Sequence, residues 1–178
     1  ARWCKKVLLG FDGAAKYFPN SETAITGTPV RKELQKLPTQ ADARAKYGLS
    51  SESKTVLVMG GSQGARGVNR GVADALSEFD KDQVRIIHIT GKGEYDSVKE
   101  ALDNSGIENY VSPFCQRMEL AYELADLAIA RSGASSLTEL AAFGQYATSS
   151  AEPPLHDPVA LLSVTHPHLF GRIRTPIT

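Results

Sequence analysis

Val56-Leu57-Val58-Met59-Gly60-Gly61-Ser62-Gln63-Gly64-Ala65-Arg66 is the stretch on which the fold of this chain turns. Its four leading apolar residues read as a short buried strand. Two glycines follow, then Ser62, Gln63 and Gly64. Asn69, Val72, Ala73 and Leu76 then recur at helical spacing. The order is strand, glycine turn, helix. Such a turn leaves backbone N–H groups unpaired at a helix start, where the dipole also favours negative charge. The corner therefore suits a phosphate. Glycine permits the tight turn and lets a ligand approach the backbone, and Ser62 adds a hydroxyl donor. A glycine turn that binds nothing has the same pattern, and the pattern alone does not choose between the two.

Working outward, residues 84–89 form the next apolar run, followed by Gly91-Lys92-Gly93. Residues 95–102 read as a helix with Val98, Ala101 and Leu102 on one side, closed by Asn104-Ser105-Gly106. Tyr110-Val111 is a short third strand, 118–125 a short helix, and 127–130 a fourth strand. Arg131-Ser132-Gly133-Ala134 is a second turn of small residues. Ser135 and Ser136 with Glu139 read as a capping box opening a helix over 137–143, with Gly144 at its C′ position. Strands that alternate with helices in this way predict an α/β, doubly wound, four-stranded parallel sheet with right-handed crossovers. In such sheets ligands sit beyond the carboxyl ends of the strands, where strand order reverses. Two Gly/Ser turns at that edge, each opening a helix, strengthen the anion-site reading.

Upstream, 7–11 and 23–26 are strand candidates, closed by Asp12-Gly13 and by Gly27-Thr28-Pro29. They are expected to pack beside the sheet or to hang loose. Residues 41–47 are helix formers that stop at Gly48, a C-cap signal. Downstream of Gly144 no period is legible. Prolines at 154, 158, 167 and 176 predict a poorly ordered tail over 145–178, which would leave strand 127–130 as a sheet edge.

The 178 residues, 42% hydrophobic and 22% charged, are an ordinary globular composition for one domain with a fragment of a second. Twenty basic and 20 acidic side chains balance, so there is no electrostatic footprint for nucleic acid. Cys4 and Cys115 lie far apart and form no ligand cluster, which reads as reduced thiols in a cytoplasmic protein with no metal. No apolar run approaches the ~20 residues of a membrane span. The chain opens without a signal peptide and without Met, so it is expected to start inside a longer protein.

Four motifs in order resemble a known family: Thr26-Gly27-Thr28-Pro29-Val30-Arg31; Val58 to Arg66 with Asn69; His88-Ile89-Thr90-Gly91-Lys92; and Arg131-Ser132-Gly133-Ala134-Ser135-Ser136-Leu137-Thr138-Glu139-Leu140-Ala141-Ala142-Phe143-Gly144. Over residues 1–144 they are similar to the nucleotide-binding half of the MurG-type N-acetylglucosaminyltransferases of peptidoglycan synthesis (glycosyltransferase family 28). The resemblance implies a truncated GT-B glycosyltransferase with a Rossmann-like parallel sheet. It uses UDP-GlcNAc as donor and a lipid-linked muramyl-pentapeptide as acceptor, with no cofactor. It implies that 1–30 end an acceptor domain and hinge, that 31–144 form the donor-binding domain, and that 145–178 diverge from the family. By the same resemblance Arg31 and Ser62 lie near the diphosphate, and Gly60, Gly61, Ser62, Gln63 and Gly64 form the phosphate loop. Cys115 meets the uracil through its backbone. Ala134, Ser135, Ser136, Leu137, Thr138 and Glu139 hold the nucleotide, with Glu139 accepting from the ribose hydroxyls.

The catalytic groups are expected on the N-terminal domain, whose glycine loop and His are not in this sequence. The family's His-Gln pair that grips the sugar is also absent; His156-Asp157 is a different motif. The chain alone is therefore expected to be inactive, and full-length members to lie peripherally on the cytoplasmic face of the membrane. An alternative of another class is a non-catalytic UDP-sugar-binding subunit that works with a separate acceptor-binding chain. A dinucleotide oxidoreductase is disfavoured, because Gly60-Gly61-Ser62-Gln63-Gly64 is not G-x-G-x-x-G.

Overall fold

The computed structural model describes residues 4–35, 38–50, 53–61, 63–131, 133–142 and 160–164. Among them, β1 (Val7–Leu9) and β2 (Thr23–Ile25) form a small parallel pair, joined through a 3-10 turn at Asp12–Tyr17. The larger sheet holds β3 (Lys54–Met59), β4 (Val84–Ile89), β5 (Glu108–Ser112), β6 (Leu127–Arg131) and β7 (Ala160–Val164). Its order is β5-β4-β3-β6-β7. The strands β3 to β6 are parallel, as their alternation with helices predicts. The helices are α1 (Gln40–Tyr47), α2 (Arg66–Asp74), α3 (Tyr95–Ser105), α4 (Met118–Leu124) and α5 (Ala134–Ala142).

The chain runs outward from β3 to β4 to β5, then returns to place β6 on the other side of β3. Strand order therefore reverses between β3 and β6. Both faces of the sheet are covered, which is why β3 reads as a continuous apolar run rather than an alternation. On one face Val56, Val58 and Ile86 pack with Val68 and Val72 of α2 and Val98 and Leu102 of α3. On the other, Leu57, Met59, Ile87 and Ile89 pack with Ala43 and Tyr47 of α1, Leu120 and Ala121 of α4, and Leu140 of α5. Burial of the Val, Leu, Ile and Met side chains among these, each contributing about 1.5–3 kcal/mol, holds the carboxyl ends of β3, β4 and β6 in one fixed rim.

Local signals set the helix ends. Thr39 caps α1, its hydroxyl accepting from Asp42 N at 3.1 Å. Gly48 and Gly106 close α1 and α3 at φ 65° and 76°, left-handed values that glycine adopts without a Cβ penalty. Lys54 and Thr55 open β3 on Asp126, whose carboxylate accepts from Lys54 Nζ at 3.0 Å and Thr55 N at 2.9 Å.

The structure departs from the sequence expectations in four places. β1 and β2 pair with each other and not with the large sheet. The helical spacing from Asn69 to Leu76 is not one helix: α2 begins at Arg66 and ends at Asp74, with a separate 3-10 turn at Leu76–Glu78 that still buries Leu76. The helix predicted over 137–143 begins at Ala134, one residue after Gly133. That start dissolves the capping box: Glu139 lies well inside α5, and its carboxylate bonds Arg31 and Tyr122 instead. The predicted sheet edge at 127–130 is also overturned. Residues Ala160–Val164 pair antiparallel with β6 along its whole length. This is the one apolar run of the tail, and five residues are too few to display a period. The rest of the expected disordered tail, and Gly144 as C′ residue, fall outside the described residues.

Candidate functional site

A cavity of about 240 Å³ opens at the carboxyl rim, where strand order reverses. Met59 ends β3 and Ile89 ends β4, giving it an apolar floor; Met118 and Tyr122 reach in from α4. Ser135, Ser136 and Glu139 come from the first turns of α5, Gly61 from the turn after β3, and Phe114 and Cys115 from the loop after β5. Arg31 arrives from the segment between β2 and α1. A second cavity of about 320 Å³ adjoins it across Phe114 and Cys115, bounded also by Tyr47, Tyr110 and Arg117.

The charged centre is a three-part cluster. Arg31 grips Glu139 with two parallel bonds, Nε to Oε1 at 3.0 Å and Nη2 to Oε2 at 3.0 Å. Tyr122 donates its O–H to Glu139 Oε2 at 2.8 Å. The bond to Glu139 raises the Arg31 pKa further, so the guanidinium keeps its charge throughout. Burial, and then the bond to the carboxylate, push the Tyr122 phenol well above its ordinary value, so it stays an O–H donor. Behind it, Tyr122 Oη lies 3.6 Å from Met59 Sδ. Forked guanidinium–carboxylate pairing of this kind is strong and directional, but the Arg31 side chain is 45% exposed against 12% for Glu139, so solvent screens it.

The sequence-predicted residues divide. Arg31, Gly61, Cys115, Ser135, Ser136 and Glu139 meet at one cavity, although Arg31 and Glu139 are 108 positions apart. Thr138 does not line it, and Ala134 contributes the first residue of α5. Leu137 lies one turn further along α5. Ser62 falls outside the described residues.

The glycine loop has a purpose that its pattern did not reveal. A Cβ on Gly60 would strike the backbone N of Ala65, one on Gly64 would strike the Thr90 carbonyl, and one on Gly91 would strike the Gln63 carbonyl. Gly60 thus closes its own turn tightly, whereas Gly64 and Gly91 let the turns after β3 and β4 pack backbone to backbone. Gly61 differs: at φ 85° its Cβ direction is open, and it borders the cavity. The α2 start at Ala65 carries no side-chain cap.

Residues that sequence reading missed are Met59, Ile89, Phe114, Met118 and Tyr122. Phe114 is 56% exposed, unusual for a large aromatic, and stands between the two cavities. Its place next to Cys115 was the one available signal. Tyr122 reads as an ordinary core position of α4, and only the tertiary contact with Glu139 distinguishes it. Cys115 Sγ lies 3.5 Å from Tyr47 Oη, and that phenol is raised first by burial and then by the thiol. Among the described residues no group of three His, Cys, Asp or Glu side chains could hold a metal ion, and no helix is long and apolar enough to cross a membrane.

An open, mostly parallel sheet with helices on both faces and a polar cavity at its switch point defines a Rossmann-like α/β domain. Residues 55–148 match the glycosyltransferase family 28 C-terminal domain, and the chain belongs to that family. It is 41% identical over 147 residues to the UDP-N-acetylglucosamine–N-acetylmuramyl-(pentapeptide) pyrophosphoryl-undecaprenol N-acetylglucosamine transferase of Parabacteroides distasonis, covering 82% of this chain and 40% of that protein. A Bacillus thuringiensis enzyme of the same name, numbered 2, is 36% identical over the same length and share. The crystal structure of Acinetobacter baumannii MurG superposes with a TM-score of 0.52 at 27% identity, over 80% of this chain and 38% of that one. The chain thus spans about two fifths of the length of the curated relatives it matches.

Proposed function

We propose that this chain is the donor-nucleotide half of a GT-B hexosyltransferase that moves N-acetylglucosamine from UDP-GlcNAc to a lipid-linked muramyl-pentapeptide in peptidoglycan synthesis. Residues 31–144 are the donor-binding unit, and 1–30 belong to an acceptor-side domain that works peripherally at the cytoplasmic membrane face. The observation that carries this reading is the cavity at the switch point, where Arg31, Ser135, Ser136 and Glu139 converge over an apolar floor. A nucleoside diphosphate needs those chemistries side by side: a cation and free N–H groups for phosphate, a carboxylate for ribose hydroxyls, and flat apolar walls for a base. The names carried by the 41% and 36% identical relatives support the same donor and acceptor.

In this reading Glu139 accepts from the ribose, and Arg31 faces the diphosphate together with Ser62 and the Gly60–Gly64 turn. The helix start at Ala134 to Ser136 supplies backbone donors, and the Cys115 backbone edges the uracil beside Phe114. Titration calorimetry with UDP tests it. The chain should bind UDP more tightly than uridine, because the diphosphate adds charge-assisted contacts. Glu139→Ala should weaken UDP by about 1.5–3 kcal/mol, or about ten- to a hundredfold. Equal binding of UDP by wild type and Glu139→Ala would remove Glu139 from the ligand site.

A further inference from the structure

The carboxylate of Glu139 is held from two sides by partners of opposite character. Arg31 reaches both oxygens from a segment outside the large sheet, and its side chain is 45% exposed. Tyr122 reaches Oε2 from α4 and is 2% exposed. An ionised carboxylate offers about four acceptor positions. Three donors occupy it here, so a ribose cis-diol, which brings two O–H donors, cannot be seated while Arg31 keeps both of its bonds. Arg31 can swing into solvent or onto an anion. Tyr122 cannot, because its ring is packed in the core with Met59 behind the hydroxyl.

We propose that Tyr122 is the positioning residue of the donor site: its O–H fixes Glu139 Oε2 from the buried side, aiming the remaining lone pairs at a ligand cis-diol, while Arg31 is the exchangeable partner that yields its place. This rests on the nucleotide reading above. Bond balance favours the exchange. The diol replaces the Arg31 bonds on Glu139, and the freed guanidinium finds phosphate oxygens of the same ligand. Tyr122 keeps its bond in both states, so the carboxylate need not be reoriented when ligand arrives. The phenol's resistance to ionisation keeps that donor in place across the physiological pH range.

The test measures binding of UDP and of 2′,3′-dideoxy-UDP to the full 178-residue chain as wild type, Tyr122→Phe, Glu139→Gln and the double variant. Phenylalanine keeps the ring and removes only the hydroxyl. Tyr122→Phe should weaken UDP about tenfold, the effect of one well-aimed hydrogen bond. It should leave the dideoxy nucleotide unchanged, and it should add nothing to Glu139→Gln. Equal weakening of both nucleotides by Tyr122→Phe would mean that the tyrosine only supports the fold, and would overturn the proposal. Should Tyr122→Phe fail to fold, proton NMR of the wild type decides. The Tyr122 hydroxyl proton should persist in slow exchange when UDP saturates the site, and its loss would overturn the proposal. Failure of the wild type to bind UDP at all would sink the nucleotide reading and this inference together, whereas UDP binding without diol-selective loss sinks the inference alone.

Discussion

Two polar clusters lie near the carboxyl ends of the strands, one against α2 and the other on the opposite, α4 and α5 face of the sheet, and they are built oppositely. In the first, His88 Nε2 meets Asn69 Oδ1 at 3.0 Å and Asn69 Nδ2 donates to the Thr90 carbonyl at 2.9 Å. All three residues are at most 1% exposed. In the second, exposure rises stepwise from Tyr122 through Glu139 to Arg31. The first cluster ties α2 to the end of β4 and opens to nothing. The second ties three distant segments together and opens into the cavity. A closed polar cluster can only hold the protein together, because its partners have nowhere to go. A cluster with a burial gradient keeps a fixed end and an exchangeable end, and the exchangeable end is where a ligand competes.

The sharpest way to break this contrast is at Asn69. Asn69→Ala leaves the Thr90 carbonyl and the His88 N–H buried without partners, and should cost about 4 kcal/mol of stability. UDP affinity of the folded chain should hold within about twofold, since 1.4 kcal/mol would already be tenfold. Urea unfolding and calorimetry on the same variant check both halves. A large loss of UDP affinity at unchanged stability would merge the two clusters into one site.

His88 supplies the next largest effect. Since Asn69 Nδ2 is committed to Thr90, Asn69 Oδ1 must accept, so His88 carries its proton on Nε2 and is neutral. Burial lowers its pKa from 6.5 to about 4. Below 6.5 the unfolded chain takes up a proton that the folded chain refuses. Stability should therefore fall as pH drops from about 6.5 to about 4, by on the order of 3 kcal/mol. Urea midpoints taken between pH 7 and pH 4 read this directly, and His88→Gln should flatten the slope. A slope that survives that substitution must come from other groups.

Smaller effects belong to the open cluster. Glu139→Ala should change UDP affinity about ten- to a hundredfold. Arg31→Ala should change stability by less than about 1 kcal/mol, because the pair is screened on its exposed side. It should still weaken UDP more than uridine. A stability loss at Arg31 as large as that at Asn69 would show that the ion pair is structural after all.

Periodicity and turn chemistry carried most of the fold. The 56–59 and 127–130 runs, the glycine turns after them and the left-handed stop at Gly48 are local events, written in neighbouring residues. β7 was not legible, because Ala160–Val164 is a strand only by virtue of the unpaired edge that β6 offers it. The start of α5 was misread for a related reason. Ser135, Ser136 and Glu139 satisfy a local capping pattern, and only Arg31 and Tyr122, brought in from elsewhere, draw the carboxylate away.

The site shows the same division. By itself the sequence determined the parallel sheet and the two small-residue turns at its rim, because strand runs, glycine turns and helix starts are properties of contiguous chain. Tertiary structure alone decided which donor holds Glu139, why Gly64 and Gly91 have no side chain, and that Tyr122 faces the cavity. Those depend on distances between residues far apart in the chain, which packing sets and no local pattern encodes.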